Sequence, residues 1–201
     1  PISSHTQDAY VQAVEFVRNF HHARVGNGTA AVVLCQEDQH DDQDTKIGEE
    51  VSCVQQQQHR QHIPLPVVLD SGCGTGRSSA LLAKSYPHLP VLGIDRSAAR
   101  LSKGGGAPGK PLPRNLLLLR ADLVDLWILA SRDNAWQVRE HCILYPNPYP
   151  KRSQLRSRWH GHSVFPVLLS LGGRITLRSN WKSYLDEVCQ AVLAINDEAE
   201  K

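Results

Sequence analysis

The stretch "PVVLDSGCGTGRSSALLAKSY", residues 66–86, decides the fold. A short apolar run rich in Val and Leu reads as a buried strand. It stops at Asp70 and enters a loop with glycines at 72, 74 and 76. The following segment, 77–86, reads as a helix. Glycines between a strand and a helix permit positive φ and let a ligand approach the backbone closely at the helix N-terminus.

The same alternation continues outward. "VLGID" (91–95) is a second strand and "SAARLSK" (97–103) a helix. "NLLLLRAD" (115–122) is a third strand and "LVDLWILA" (123–130) a helix. "HCILYP" (141–146) is a fourth strand, and "HSVFPVLLSL" (162–171) is helical with Pro166 confined to its first turn. "GGRITLRSN" (172–180) is a fifth strand, and 181–195 a closing amphipathic helix. Continuously apolar strands alternating with helices predict an α/β fold, a mostly parallel sheet with helices on both faces. Upstream, residues 8–24 space Tyr10, Ala13, Val14, Val17 and Phe20 as an amphipathic helix. "AAVVLC" (30–35) fits a strand or a helix, and 36–62 is a polar, acidic and Gln-rich linker. The expected division is therefore an N-terminal helical extension with linker, 1–62, and one α/β domain, 63–201.

Composition sets the bounds. The 201 residues are 41% hydrophobic and 21% charged, a soluble globular balance. No apolar run approaches ~18 residues, so no membrane span is expected. The opening "PISSHTQDAY" has neither a basic n-region nor an apolar h-region, which predicts no signal peptide. Five scattered cysteines without CxxC spacing point to a reducing compartment, hence a cytoplasmic protein, monomeric or homodimeric. The net charge of +2 conceals an asymmetry: residues 36–50 hold seven acids and one Lys, so the rest of the chain is +8. A basic body favours an anionic partner.

A dinucleotide loop would carry its third glycine at position 77, which is Arg, and the spacing here is GxGxG. Asp95 ends the second strand about 20 residues after the loop, where a carboxylate can accept both ribose hydroxyls. Asp122 ends the third. The plainer reading makes Asp95 and Asp122 helix N-caps. The loop with Asp70, Gly72, Gly74 and Gly76 resembles motif I of class I S-adenosylmethionine-dependent methyltransferases. That resemblance implies a Rossmann-like methyltransferase fold and S-adenosyl-L-methionine as cofactor. It places Asp95 at the ribose and Asp122 at the adenine, with Arg96, Leu123 and Tyr145 also among the cofactor-binding residues.

"YPNPYPKRSQLRSRWHGH" (145–162) joins a proline-rigid aromatic turn to a basic run. It resembles the signature of tRNA (guanine-N7-)-methyltransferases, roughly F-P-D-P-W-P-K followed by basic residues. The resemblance spans about 63–195. It implies a tRNA or other RNA substrate, with Asn147, Tyr149 and Lys151 at the reacting base. Lys151, Arg152, Arg156, Arg158 and Trp159 would meet RNA, and Ser179 and Asn180 would complete the base site. Asn147 stands where that family has Asp, and Ser179-Asn180 where it has Thr-Asp. The family's closing T-x-F-E-like segment has no match, so the sheet is expected without a final antiparallel hairpin. Two alternatives stand beside this reading. "NPY" (147–149) is one Pro short of the N-P-P-Y motif of amino-methyltransferases, and the two amides fit a module that binds cofactor or RNA without turnover. "HGH" (160–162) is read as surface rather than metal, and Trp127 and Trp136 as core.

Overall fold

The computed structural model describes residues 2–25, 64–104 and 111–199. The segments 30–35 and 36–62 lie outside the described residues. Five strands form one sheet: β1 (Leu65–Ser71), β2 (Val91–Asp95), β3 (Leu116–Arg120), β4 (Trp136–Leu144) and β5 (Arg174–Arg178). Their order is β3-β2-β1-β4-β5 and every pairing is parallel. The order reverses between β1 and β4. Such a switch point opens a crevice at the strand carboxyl ends, where open α/β sheets bind ligands.

The strands alternate their burial between two faces. Val67, Leu69, Leu92, Ile94 and Leu119 pack beneath α1 (Ser4–Val25) and α4 (Leu123–Asp133). Val68, Val91 and Leu116 pack beneath α2 (Arg77–Ser85). The α4 face continues across Ile143 to α5 (Phe165–Ser170) and α6 (Lys182–Ala199). A short α3 (Ala98–Leu101) completes the crossover from β2 to β3. Trp127 and Trp136 are buried as expected, and Pro166 sits in the first turn of α5.

α1 lies on the sheet. Ala13 and Val17 are fully buried in the core beneath it. Burying one such Val stabilises by roughly 1.5–3 kcal/mol. Tyr10 donates its hydroxyl to Asp133 (2.8 Å), and the buried Thr6 hydroxyl accepts the Asp122 N–H (3.2 Å). The helix thereby steadies the carboxyl end of β3.

β4 starts at Trp136, five residues ahead of the expected 141. Residues 136–140, "WQVRE", alternate apolar and polar because only one side is buried there, and they pair with Leu65–Val68. The continuous apolar run that signals a buried strand begins only where both faces are covered. The basic stretch after β4 forms a 3-10 helix over Arg152–Ser157.

Candidate active site

The glycine loop is built from backbone. Gly72, Gly74 and Gly76 all have positive φ, of 82°, 62° and 81°. The N–H groups of Gly72 and Cys73 donate to the Ile94 carbonyl at 2.8 and 3.0 Å, which ties the loop to the end of β2. A Cβ on Gly72 or Gly74 would meet nothing within 4 Å, so open space lies over the loop. Gly76 has a packing role, since a Cβ there would run into Leu118.

Three strand-end acids behave differently. Asp70 is buried below the loop, where one oxygen accepts from the hydroxyls of Ser78 and Ser79, both at 2.6 Å. Its other oxygen has no partner, and burial raises its pKa above the usual carboxylate value. Asp70 thus supports the loop and does not line the cavity. Asp95 does line it. One Asp95 oxygen accepts the Gly74 N–H (2.9 Å); the other accepts the Ser97 N–H (2.8 Å) and faces Arg100 at 3.5 Å. A carboxylate offers about four lone-pair positions, so acceptor capacity remains. Asp122 caps α4, accepting from Val124 (2.9 Å) and Asp125 (3.3 Å) through one oxygen, and also reaches the cavity. The cap and the cavity position coexist at this residue.

The cavity measures about 390 Å³ and sits at the switch point. Gly72, Asp95, Arg96, Asp122 and Leu123 line one side; Tyr145, Asn147, Tyr149 and Trp159 line the other. That size suits one small ligand or cofactor. Gly74, Gly76, Lys151, Arg152, Arg156, Ser179 and Asn180 lie outside the lining. Ser179 caps the turn into α6, accepting the Trp181 N–H at 3.1 Å, and Asn180 is exposed. Lys151, Arg152 and Arg156 are exposed, and they follow the lining turn in sequence.

Two expected surface groups face inward. Arg158 is buried; its Nε and Nη2 both donate to the Tyr149 carbonyl at 3.1 Å, and Nη1 pairs with Glu187. It is therefore no free contact for a phosphate. Trp159 packs against Trp127 with ring centroids 4.7 Å apart and shows only part of its ring to the cavity. Basic residues close to aromatics read as a nucleic-acid surface in sequence, and a partner on a distant helix is invisible there.

Ser71, Arg100, Leu144, Pro146, Ser157 and Tyr184 complete the lining and were not singled out from sequence. Ser71 is the informative one. Its hydroxyl accepts Trp127 Nε1–H at 3.3 Å and lies 2.8 Å from His141 Nε2. His141 is fully buried, and desolvation lowers its pKa to about 4, so the ring is neutral. His141 Nδ1 has no partner. A bare lone pair is cheaper to bury than an unpaired N–H. The proton is accordingly assigned to Nε2, donating to Ser71, which leaves the Ser71 hydroxyl hydrogen to face the cavity. Only Asp70-Ser71 next to the glycines hinted at this; His141 and Trp127 come from elements far along the chain.

Tyr145 and Tyr149 hold positive φ of 53° and 45°. Tyr145 N–H donates to the Arg178 carbonyl (2.8 Å), which carries the β4–β5 pairing one step beyond the strand. Asn147 Oδ1 accepts the Tyr149 N–H (3.3 Å). The side-chain oxygen thus folds back on its own loop with one lone pair, and the amide N–H groups have no partner among the described contacts.

Residues 64–200 match the model of a family described as putative methyltransferase. The chain belongs to that methyltransferase family. Among curated relatives, it is 29% identical over 141 residues to the tRNA (guanine-N(7)-)-methyltransferase of Porphyromonas gingivalis, covering 69% of this chain and 54% of the relative. It is 26% identical over 132 residues to the enzyme of the same name from Acinetobacter baylyi, covering 64% and 53%. A shorter match, 44% over 63 residues, links it to the trans-aconitate 2-methyltransferase of Deinococcus radiodurans, with 31% and 23% covered. The chain spans about half the length of the guanine-N7 relatives. Among the described residues no group of three His, Cys, Asp or Glu is placed to hold a metal ion, and no helix is long and apolar enough to cross a membrane.

Proposed function

We propose that the chain binds S-adenosylmethionine in the switch-point cavity and transfers its methyl group to N7 of a guanine in tRNA. The observation that carries this is convergence. Ser71 and Gly72 at the head of the glycine loop, the acids Asp95 and Asp122 after β2 and β3, and the Tyr145–Tyr149 loop after β4 all line one cavity. The open space over Gly72 and Gly74 fits a ligand lying against the backbone. The bound cofactor would supply an electrophilic sulfonium methyl.

Each side of the cavity has its task. Asp95 accepts ribose hydroxyls, and Asp122 with Leu123 meets the adenine. Arg96 and Arg100 supply positive charge along that wall. On the far side Tyr149 and Trp159 offer faces for a planar base. No carboxylate or His lines this far wall. A ring nitrogen with a free lone pair needs no base to remove a proton, so positioning is the main contribution the residues make. Asn147 has two N–H donors to offer, while its oxygen accepts the Tyr149 N–H with one of its two lone pairs. A donor beside the methyl path suits guanine O6, the acceptor next to N7. The names of the guanine-N7 relatives support the same choice.

The test is incubation with labelled S-adenosylmethionine and unmodified tRNA, then digestion and identification of the labelled nucleoside. Labelled 7-methylguanosine is the expected product. Another labelled nucleoside would retain the enzyme and replace the acceptor; no label despite measured cofactor binding would overturn the reading.

A further inference from the structure

Apart from the ring face that Trp159 turns to the cavity, the segment "RWHGH", residues 158–162, has no part in the chemistry above, yet every residue in it has a structural engagement. Arg158 holds the Tyr149 carbonyl through two N–H groups, each at 3.1 Å, and reaches Glu187 on α6 with a third. Trp159 meets Trp127 of α4 edge to face, and its backbone N–H donates to the Tyr184 hydroxyl of α6 at 3.3 Å. His160 Nε2 meets the same Glu187 carboxylate at 3.0 Å and lies edge-on to Tyr184. Gly161 leaves no room for a Cβ because the Leu155 carbonyl lies against it. His162 Nδ1 accepts the Val164 N–H at 3.1 Å, just ahead of α5.

Tyr149 is the residue that needs this support. Its φ of 45° is a conformation that a bulky side chain adopts at a cost of about 1–3 kcal/mol, so surrounding contacts must determine it. Its N–H is taken by Asn147 and its carbonyl by Arg158. Both backbone polar groups of Tyr149 are therefore engaged, and the partner of its carbonyl, Arg158, is itself tied to α6 through Glu187.

We infer that Arg158 and Glu187 are positioning residues: they clamp the Tyr149 carbonyl and so set the aim of Asn147 and Tyr149 at the accepting base. This rests on the cavity being the transfer site proposed above. The clamp touches neither cofactor nor base. It acts through the loop, and it ties the last helix of the chain to the geometry of transfer. Lysine cannot replace Arg158, because a single ammonium lacks the rigid fork that reaches one carbonyl twice and a carboxylate at once.

The experiment compares wild type with Arg158→Lys, Glu187→Ala and Glu187→Gln, by hydrogen–deuterium exchange and by steady-state kinetics on unmodified tRNA. Expected is exchange at least about fivefold faster in peptides covering 145–151 of Arg158→Lys and Glu187→Ala, with β1–β3 unchanged. Their kcat falls by about tenfold or more, the scale of a sub-ångström misplacement, while KM for S-adenosylmethionine stays within about twofold. Glu187→Gln retains an oxygen for Arg158 and restores most of the loss. Unchanged exchange in 145–151 overturns the inference. Faster exchange with unchanged kcat overturns it too, and so does a loss confined to KM for the cofactor. If the wild type labels no tRNA, the proposed function fails while the exchange comparison still decides whether the clamp exists.

Discussion

Ser71 and Tyr149 face the same cavity, yet the loops that carry them are held in different ways. The loop after β1 is secured within a span of 28 residues, 70–97, mostly by backbone. Ile94 accepts two of its N–H groups, Asp95 a third, and Asp70 anchors the first turn of α2 through two serines. The loop after β4 has one backbone tie, from Tyr145 to Arg178, and otherwise relies on side chains: Asn147, Arg158 and, through Arg158, Glu187 of α6. A backbone-built site tolerates change in its neighbours; a side-chain-built one inherits the mobility of each partner. The difference suits the proposed division of labour, with a constant cofactor on one side and a macromolecular acceptor on the other.

Trp127 joins the two regions and gives the largest expected effect. It is fully buried, donates to Ser71 on the glycine side and meets Trp159 edge to face on the other. Trp127→Ala is expected to cost about 3–5 kcal/mol in urea denaturation, as deletion of a buried Trp does. It should also loosen both walls together. Trp127→Phe keeps the ring but loses the N–H, and should cost about 1 kcal/mol beyond its volume change, the usual worth of one hydrogen bond. A loss of less than half the Ala figure would mean that the two walls are held independently.

The comparison also explains what could be read in advance. β2 and the helix after the glycine loop were legible because their signals are local: an apolar run, glycines at fixed offsets, an acid at the strand end. Asp95 reached the cavity for the same reason. On the far side, Asn147 and Tyr149 were legible as a turn of Pro, Asn and Tyr. Arg158 was misplaced because nothing in "RSQLRSRW" distinguishes a solvated Arg from one whose partners lie on α6, 29 residues on at Glu187. The first half of β4 escaped because a strand buried on one side alternates and resembles a polar linker. Ser71 and His141 escaped because their pairing depends on β1 and β4 being neighbours, a fact of topology.

Asp95 gives an intermediate effect and tests the glycine side alone. Its carboxylate holds the Gly74 N–H as well as facing the cavity. Asp95→Ala should weaken S-adenosylmethionine binding by about 1–3 kcal/mol in calorimetry, the scale of lost charge-assisted hydrogen bonds. RNA affinity should not move, because no residue of the far wall touches Asp95 among the described contacts. Equal cofactor affinity in wild type and variant would remove the ribose assignment; a matching loss of RNA affinity would break the separation of the two walls.

The smallest effect concerns the exposed cations that follow the turn after β4. Lys151, Arg152 and Arg156 have no acidic partner among the described ion pairs, whereas Arg158 is committed to Glu187. Neutralising a residue that meets a phosphate removes the counterion release tied to that contact, so affinity falls and its dependence on salt flattens. Each lost contact lowers the slope of log K against log salt by about 0.7–0.9. Lys151→Ala, Arg152→Ala and Arg156→Ala combined should therefore flatten the slope for tRNA by about 2–3 in a filter-binding titration. Arg158→Lys should leave that slope unchanged while altering turnover, since Arg158 meets protein and not solvent. If the triple variant keeps the wild-type slope, the exposed cations are a solvated surface and RNA approaches elsewhere. If Arg158→Lys flattens it as well, the clamp opens in solution and the contrast between the two arginines disappears.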